Sequence, residues 1–397
     1  MIESDQVYQE GSTKHYRVKY GGLAEKIYGL IQAEDKQTLG ITILRAAATV
    51  VAWSCDKLTA LRNILFDSGV LKVQQLSCPV ISVGNLAVGG TGKTPMVMWL
   101  ARFLLEEGWR VGVVSRGYKG GEAKRVLVVS DGRNILAGSD ISGDEPQLLA
   151  TRLRGIPVLC STKRALAAEA AVDQFQCEVV ILDDGFQHRF VARNLDIVML
   201  DSRYPFGDGS LFPRGILREQ TTALTRAQVL VLSRFDGSKE AEQSHKNLVG
   251  HWPDKTVVTA AHRATRLFKA TTQRELPLSS VRNKRLAAFA GIGRPDDFFR
   301  TVRDLGADLV HTTALPDHHP LTVELLASLV VEASEQKPEL WLTTEKDWVR
   351  LPSDLPDNME LMILAVEIDL DGDSLLLKAV VQESLGTSNR TPKDSGQ

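Results

Sequence analysis

Lys93 and Thr94 close the run Gly89-Gly90-Thr91-Gly92-Lys93-Thr94, an order of residue types suited to one kind of chemistry. Glycines let successive backbone N–H groups turn toward one point, the lysine adds a full positive charge, and the threonine hydroxyl can sit on Mg²⁺. The matching ligand is a polyphosphate such as ATP, with Lys93 on its β and γ groups. The usual spacing has a further glycine five residues before Gly92, where this chain has Ala87, so the loop reads as a variant.

A second group of residues could complete that chemistry. Val179-Val180-Ile181-Leu182 is an apolar run that ends in Asp183 and Asp184, and a carboxylate at such a strand end can hold Mg²⁺ directly or through water. Gly185-Phe186-Gln187-His188-Arg189 then places polar donors beside the acids. Ser142-Gly143-Asp144-Glu145-Pro146 opens a helix, and its acids read either as helix-start residues favoured by the dipole or as a general base for an attacking hydroxyl. Ser115-Arg116-Gly117-Tyr118-Lys119-Gly120 gathers two cations and suits an anionic group, unless it is only a solvated basic loop. Phe206 to Gly209 and Pro213 to Glu219 form a glycine-rich stretch of alternating charge, the composition of a ligand-holding loop. In Asp317-His318-His319-Pro320 the adjacent histidines of a turn point apart, so a general base or hydrogen-bonding partner fits better than a metal site. Thr343-Thr344-Glu345-Lys346-Asp347 follows a strand and could face the same ligand.

The elements that must position these residues alternate. Val80, Ile81 and Val83 lead into the loop as a strand, and a helix follows from Met96. Strands are then expected at 111–115, 126–129, 157–160, 179–182, 195–200 and 229–232, with helices at 97–107, 145–153 and 163–175. The pattern is α/β: a P-loop NTPase-like, mainly parallel sheet with helices on both faces, spanning 79–240. The polar stretch Asp236 to Lys246 marks a boundary, beyond which strands at 257–260, 286–290, 309–312 and 340–343 and helices at 295–305 and 321–333 give a second, smaller α/β lobe over 241–385. Residues 1–21 read as a flexible polar extension and 386–397 as a disordered tail. Between them, 22–78 is an N-terminal helical region, with Leu23, Ile27, Leu30 and Ile31 at helical spacing. Its most apolar run, Ile41 to Trp53, contains Arg45 and fits either a buried core helix, the commoner case, or an interfacial helix lying on a membrane.

Composition bounds the partners. The 397 residues are 43% hydrophobic and 24% charged with a formal net charge of −2, which is ordinary for a soluble protein and argues against nucleic acid as a partner. Cys55, Cys78, Cys160 and Cys177 show no close pairing, so neither a zinc site nor a redox motif is expected. The first residues lack the basic-then-apolar order of a secretory signal, which places the expected location in the cytoplasm. No obligate protein partner is evident from the sequence.

Taken together, SVGNLAVGGTGKTP, SRGYKG, GDEP, DDGFQH, FPRGILRE, DHHP and LTTEKD, in that order, resemble the tetraacyldisaccharide 4′-kinases, the lipid A 4′-kinases of bacteria with an outer membrane. The resemblance implies ATP-dependent phosphoryl transfer to the 4′-hydroxyl of a lipid disaccharide at the cytoplasmic face of the inner membrane, by a peripheral or monotopic protein. It implies two α/β lobes with the substrate entering between them, and it favours the interfacial reading of Ile41 to Trp53. Lys93 and Thr94 would contact phosphate and Mg²⁺, and Asp183 or Asp184 would be the strand-end metal ligand. Asp144 would be the base, His318 its assistant, and Glu219 a metal-site acid. Asn85, Arg116, Gln187, His188 and Arg218, all inside the shared motifs, are expected on the substrate. Another small-molecule kinase, or a partition- or switch-type ATPase, is the alternative that the loop alone would allow.

Overall fold

The computed structural model describes residues 7–10, 13–17, 38–117 and 126–386. The helical pattern around Leu23 to Ile31, the Tyr118-Lys119-Gly120 part of the basic loop and the expected disordered tail after 386 lie outside the described residues. Val7–Glu10 (β1) and Thr13–Arg17 (β2) pair antiparallel inside the segment expected to be a flexible extension. Their β-branched and aromatic residues flank Gly11-Ser12, a hairpin signature that overall polarity masks.

One compact unit contains residues 23–262 together with 368–397. Leu39–Asp67 (α1) is capped by Thr38. Val80–Asn85 (β3) leads through the glycine loop into Lys93–Glu106 (α2), and Val111–Ser115 (β4) and Leu127–Ser130 (β5) follow. Next come Ser139–Ser142 (α3), Asp144–Arg152 (α4), Val158–Cys160 (β6), Arg164–Phe175 (α5), Val179–Asp183 (β7), Leu195–Asp201 (β8) and Val229–Ser233 (β9). Lys239–His251 (α6) precedes Thr256–Lys269 (β10), whose first residues, Thr256 to Ala260, run beside β9. The strand order is β10-β9-β8-β3-β7-β4-β6-β5, parallel except for β5. All six residues of β3 are buried between β7 and β8, so the loop leaves the centre of the sheet at its carboxyl edge, where α/β folds hold ligands.

The division differs from the expected boundary at 240. Asp236 to Lys246 is polar because most of it is α6, whose outer face meets water while Ala241, Ser244 and Leu248 are buried. Residues 371 to 386 also return to this unit: the Asp373 carboxylate accepts from the Thr259 N–H at 2.7 Å and its hydroxyl at 2.9 Å.

The other unit contains residues 1–22 and 263–367. After Glu275–Leu276 (β11), which pairs with the end of β10, it runs Arg285–Ala290 (β12), Pro295–Asp304 (α7), Asp308–Ala314 (β13), Val323–Ala333 (α8), Leu340–Thr344 (β14), Glu345–Trp348 (α9) and Leu361–Asp369 (β15). Strands β2, β13, β12, β14 and β15 are parallel neighbours in that order. Phe298, Phe299 and Val302 pack in one core cluster, Leu326, Leu329 and Trp341 in another. Ser374–Ser384 (α10) then rejoins the first unit.

Helix α1 does not pack as a core helix. Only Ala48, Ala52 and Phe66 are buried along it, whereas Ile43, Val50, Trp53, Leu58, Leu61 and Ile64 are all more than half exposed. Its 29 residues make it, by length and composition, long and apolar enough to cross a membrane.

Close packing beneath the loop gives the first prediction. A Cβ on Gly84 would lie 2.5 Å from the Cβ of Phe186, which is fully buried behind β3. Gly84→Ala should therefore destabilise the protein by roughly 1–3 kcal/mol, the usual cost of overpacking, read as a lower midpoint in thermal unfolding. An unchanged midpoint would show that the Phe186 loop yields freely.

Candidate active site

The glycine loop is shaped by its own side chains as well as by glycine. Asn85, at the end of β3, donates from its amide to the Ala87 carbonyl and, at 3.0 Å, to the Thr91 hydroxyl, which ties the two sides of the loop together. Ala87 sits in an isolated antiparallel bridge with Leu217, and its φ is not positive, so the position has no need of glycine. Gly92 does: it caps α2 with φ of 82°. Helix α2 begins at Lys93, so the dipole end and the lysine charge meet at the loop's exit.

Strand β7 supplies the acids. Asp184 adopts φ of 51°, a left-handed turn that aspartate tolerates better than most residues. Its carboxylate lies 3.4 Å from Lys93 Nζ and accepts from Arg218 Nη1 at 2.9 and 3.1 Å, while Arg164 donates to its carbonyl at 3.0 Å. Burial pushes the Asp184 carboxyl upward, but Lys93 and Arg218 outweigh it and hold it at about 2. Asp183 has the opposite fate. Burial first, then the Glu145 and Asp184 charges, raise it from 3.8 to about 7, against the pull of Lys93 and the 3.0 Å hydrogen bond from Ser115 Oγ. Its Oδ1 is buried with no hydrogen-bond partner. Two adjacent carboxylates thus have different partners: one is a fixed anion and the other is short of a cation or a proton.

The remaining expected residues fall in several places. Asp144 and Glu145 are half-buried in the first turn of α4, and Glu145 is near enough to act on Asp183. Arg116 is exposed at the end of β4. Gln187 donates to the Asn85 carbonyl at 2.9 Å. His188 is held neutral, at about 4, by burial and by the nearby Arg164, Arg193, Arg62 and Arg116, and its Nε2 is buried and unpartnered. Asn85, expected on the substrate, is fully buried, and its amide serves the loop instead.

Glu219, expected as a metal-site acid, is 2% exposed and surrounded by donors. Asn63 Nδ2 reaches it at 3.0 Å, Arg226 at 3.1 and 3.3 Å, and Arg62 lies 3.6 Å away. A carboxylate so occupied joins α1 to the ligand loop; a metal would have to displace those donors. Arg189 extends the joint through Asp67 at 2.5 Å. No cluster of three or more metal-ligating side chains occurs among the described residues, so Mg²⁺ here would depend on phosphate oxygens and water beside one or two carboxylates, its usual preference. Asp183 Oδ1 fits that role.

In the other unit, His318 has φ of 61° and its Nε2 lies 3.8 Å from Asp317 Oδ2, while Lys346 Nζ lies 3.1 Å from Asp317 Oδ1. The DHHP and TTEKD motifs therefore form one cluster. Asp347 is fully buried, accepting from Gly291 N–H at 3.1 Å and Thr344 Oγ1 at 2.7 Å, and pairing with Arg350.

The shifts give a signed prediction. Asp183 binds its proton more tightly folded than unfolded, so its contribution opposes folding increasingly as pH rises from about 4 toward 7. Asp184 works in reverse: it stabilises above its unfolded value and loses that contribution as pH falls toward 2. Without metal or nucleotide, Asp183→Asn should melt a few degrees above wild type at about pH 8, with the difference shrinking as pH falls and closing by about pH 4. A gap independent of pH would mean that Asp183 is not titrating.

The family profile described as tetraacyldisaccharide-1-P 4′-kinase (LpxK) matches residues 44–385. A protein of Anaeromyxobacter sp. (strain Fw109-5) named tetraacyldisaccharide 4′-kinase is 42% identical over 78% of this chain and 84% of its own length. One of the same name from Syntrophus aciditrophicus (strain SB) is 41% identical, over 73% and 80%. Among solved structures, LpxK from Aquifex aeolicus in complex with ATP superposes with a TM-score of 0.69 at 31% identity, covering 86% of this chain and 99% of that one.

Proposed function

Because the chain belongs to the tetraacyldisaccharide-1-P 4′-kinase family, we propose that it transfers the γ-phosphoryl group of ATP to the 4′-hydroxyl of a tetraacyldisaccharide 1-phosphate in lipid A biosynthesis. The observation that carries the reading is the Lys93–Asp184–Arg218 cluster at the mouth of the glycine loop, where cations are already gathered around the place a triphosphate needs them. Backbone N–H groups from Gly89 to Thr94 and the Lys93 ammonium bind and orient the β and γ phosphates. An incoming phosphate competes with Asp184 for Lys93, and Arg218 keeps that carboxylate charged meanwhile. Thr94 and Asp183 are the residues we assign to Mg²⁺, which when bound neutralises phosphate charge.

Asp144 takes the proton of the 4′-hydroxyl as the new P–O bond forms and the bond to ADP breaks. Arg116, Gln187, His188 and Arg218 serve the anionic substrate. Helix α1 supports a peripheral or monotopic association with the cytoplasmic face of the bacterial inner membrane, where ATP and the lipid acceptor meet. Its N-terminal two-thirds exposes aliphatic side chains and Trp53, and its C-terminal turns are tied to the ligand loop through Glu219.

The direct test is to incubate the full chain with Mg-ATP and a tetraacyldisaccharide 1-phosphate in mixed micelles and to look for the bisphosphate by mass spectrometry. Product is expected, and Lys93→Ala should lower its rate by about a hundredfold or more while the protein stays folded. No product from folded wild type, or ATP hydrolysis that needs no acceptor, would overturn the assignment. The membrane association is tested separately: Val50→Glu with Trp53→Glu should abolish co-sedimentation with liposomes and raise KM for the lipid. Undiminished sedimentation would locate the membrane contact elsewhere.

A further inference from the structure

The glycine loop is also held by residues that lie far away in sequence. Arg234, the residue after β9, donates from Nη2 to the carbonyl of Gly90. Its Nη1 is 3.1 Å from Asp201 Oδ2 at the end of β8, and both side chains are largely buried. Asp201 is itself fixed, because its Oδ1 accepts from the backbone N–H groups of Arg203 at 3.1 Å and Tyr204 at 3.2 Å. Arg234 has φ of 57°, a conformation that a non-glycine residue keeps only where its surroundings impose it. Those surroundings are visible: Ser202 Oγ donates to the Arg234 carbonyl at 2.9 Å and Ser202 N–H to the Ser233 carbonyl at 3.0 Å.

Peptide geometry connects this to function. In a planar trans peptide the carbonyl and the following N–H point in opposite directions. Anchoring the Gly90 carbonyl therefore fixes the direction of the Thr91 N–H, one of the donors available to a phosphate nest. Asn85 holds the neighbouring Thr91 side chain through its hydroxyl at 3.0 Å. Behind the next turn of the loop stands the half-buried His262, whose Nε2 is enclosed: a Cβ on Gly92 would meet that atom at 2.7 Å. Burial and then Arg234 keep that imidazole neutral, at about 3, so the positive charge on this side of the loop belongs to Arg234.

We infer that the Asp201–Arg234 pair is a positioning element for nucleotide binding, setting the orientation of the Gly90–Thr91 peptide and so the affinity of the loop for ATP. Arg234 touches neither phosphate nor acceptor in this role. It deepens the kinase reading, on which it rests for the identity of the nucleotide.

The test is equilibrium ATP binding by calorimetry on the full chain without acceptor, with thermal melting alongside. Arg234→Ala should weaken ATP binding by about tenfold, the loss expected for a hydrogen bond from a charged donor, and millimolar guanidinium should restore much of it. Guanidinium should do nothing for wild type or for Lys93→Ala. Asp201→Asn, which keeps the shape and loses the charge, should weaken ATP binding in the same direction by a smaller factor. Unchanged ATP affinity in folded Arg234→Ala overturns the inference, as does a loss that guanidinium leaves untouched and Asp201→Asn does not share. Should Arg234→Ala fail to fold, Asp201→Asn decides alone, and unchanged affinity there overturns it. Because no acceptor is present, failure of lipid phosphorylation in the earlier assay leaves this result standing.

Discussion

Two neighbouring carboxylates cannot both be ionised at a buried strand end that must also receive a triphosphate, unless something separates their environments. The turn after β7 does this. The left-handed conformation of Asp184 swings its side chain toward Lys93 and Arg218, while Asp183 stays in the strand and, among the described residues, has Ser115 as its side-chain donor. One carboxylate becomes a permanent counter-charge for the loop's lysine, and the other keeps an oxygen without a partner. Much else in the first unit serves that arrangement. Arg164 fixes the Asp184 carbonyl, Phe186 seals the space behind Gly84, and the adjacent Arg218-Glu219 dipeptide faces the site with one residue and α1 with the other.

Much of the fold was legible because buried parallel strands leave apolar runs and their helices leave amphipathic ones. Strands β4, β7, β8, β9 and β14 fall where the periodicity put them. What escaped was what no local pattern encodes. Strand β15 was not expected, and α6 read as a linker because solvent covers most of its surface. Whether α1 is buried could not be read from its composition, since an apolar helix looks alike whether protein or lipid surrounds it; its exposed face settles only the first.

The site divides in the same way. Lys93, Thr94, Asp183 and Asp184 announce themselves, because phosphate and metal chemistry demands those types at a strand-to-helix turn. Asn85 and Glu219 belong to shared motifs, and motif membership does not reveal the buried hydrogen bonds that each makes. Arg234 and Asp201 carried no signal at all, since each looks like an ordinary charged residue at the end of a strand.

The return of the chain at Asp373 has a consequence for biosynthesis. The nucleotide unit is discontinuous, so the ribosome must deliver nearly all of the chain before Asp373 can meet Thr259 and α10 can pack. Helix α1 emerges hundreds of residues earlier, with its apolar face already formed in the sequence. During most of its synthesis the nascent chain therefore carries an exposed apolar helix without a finished ATP-binding unit. On this order of events, the apolar helix is available to any partner surface before the unit that carries the glycine loop is complete.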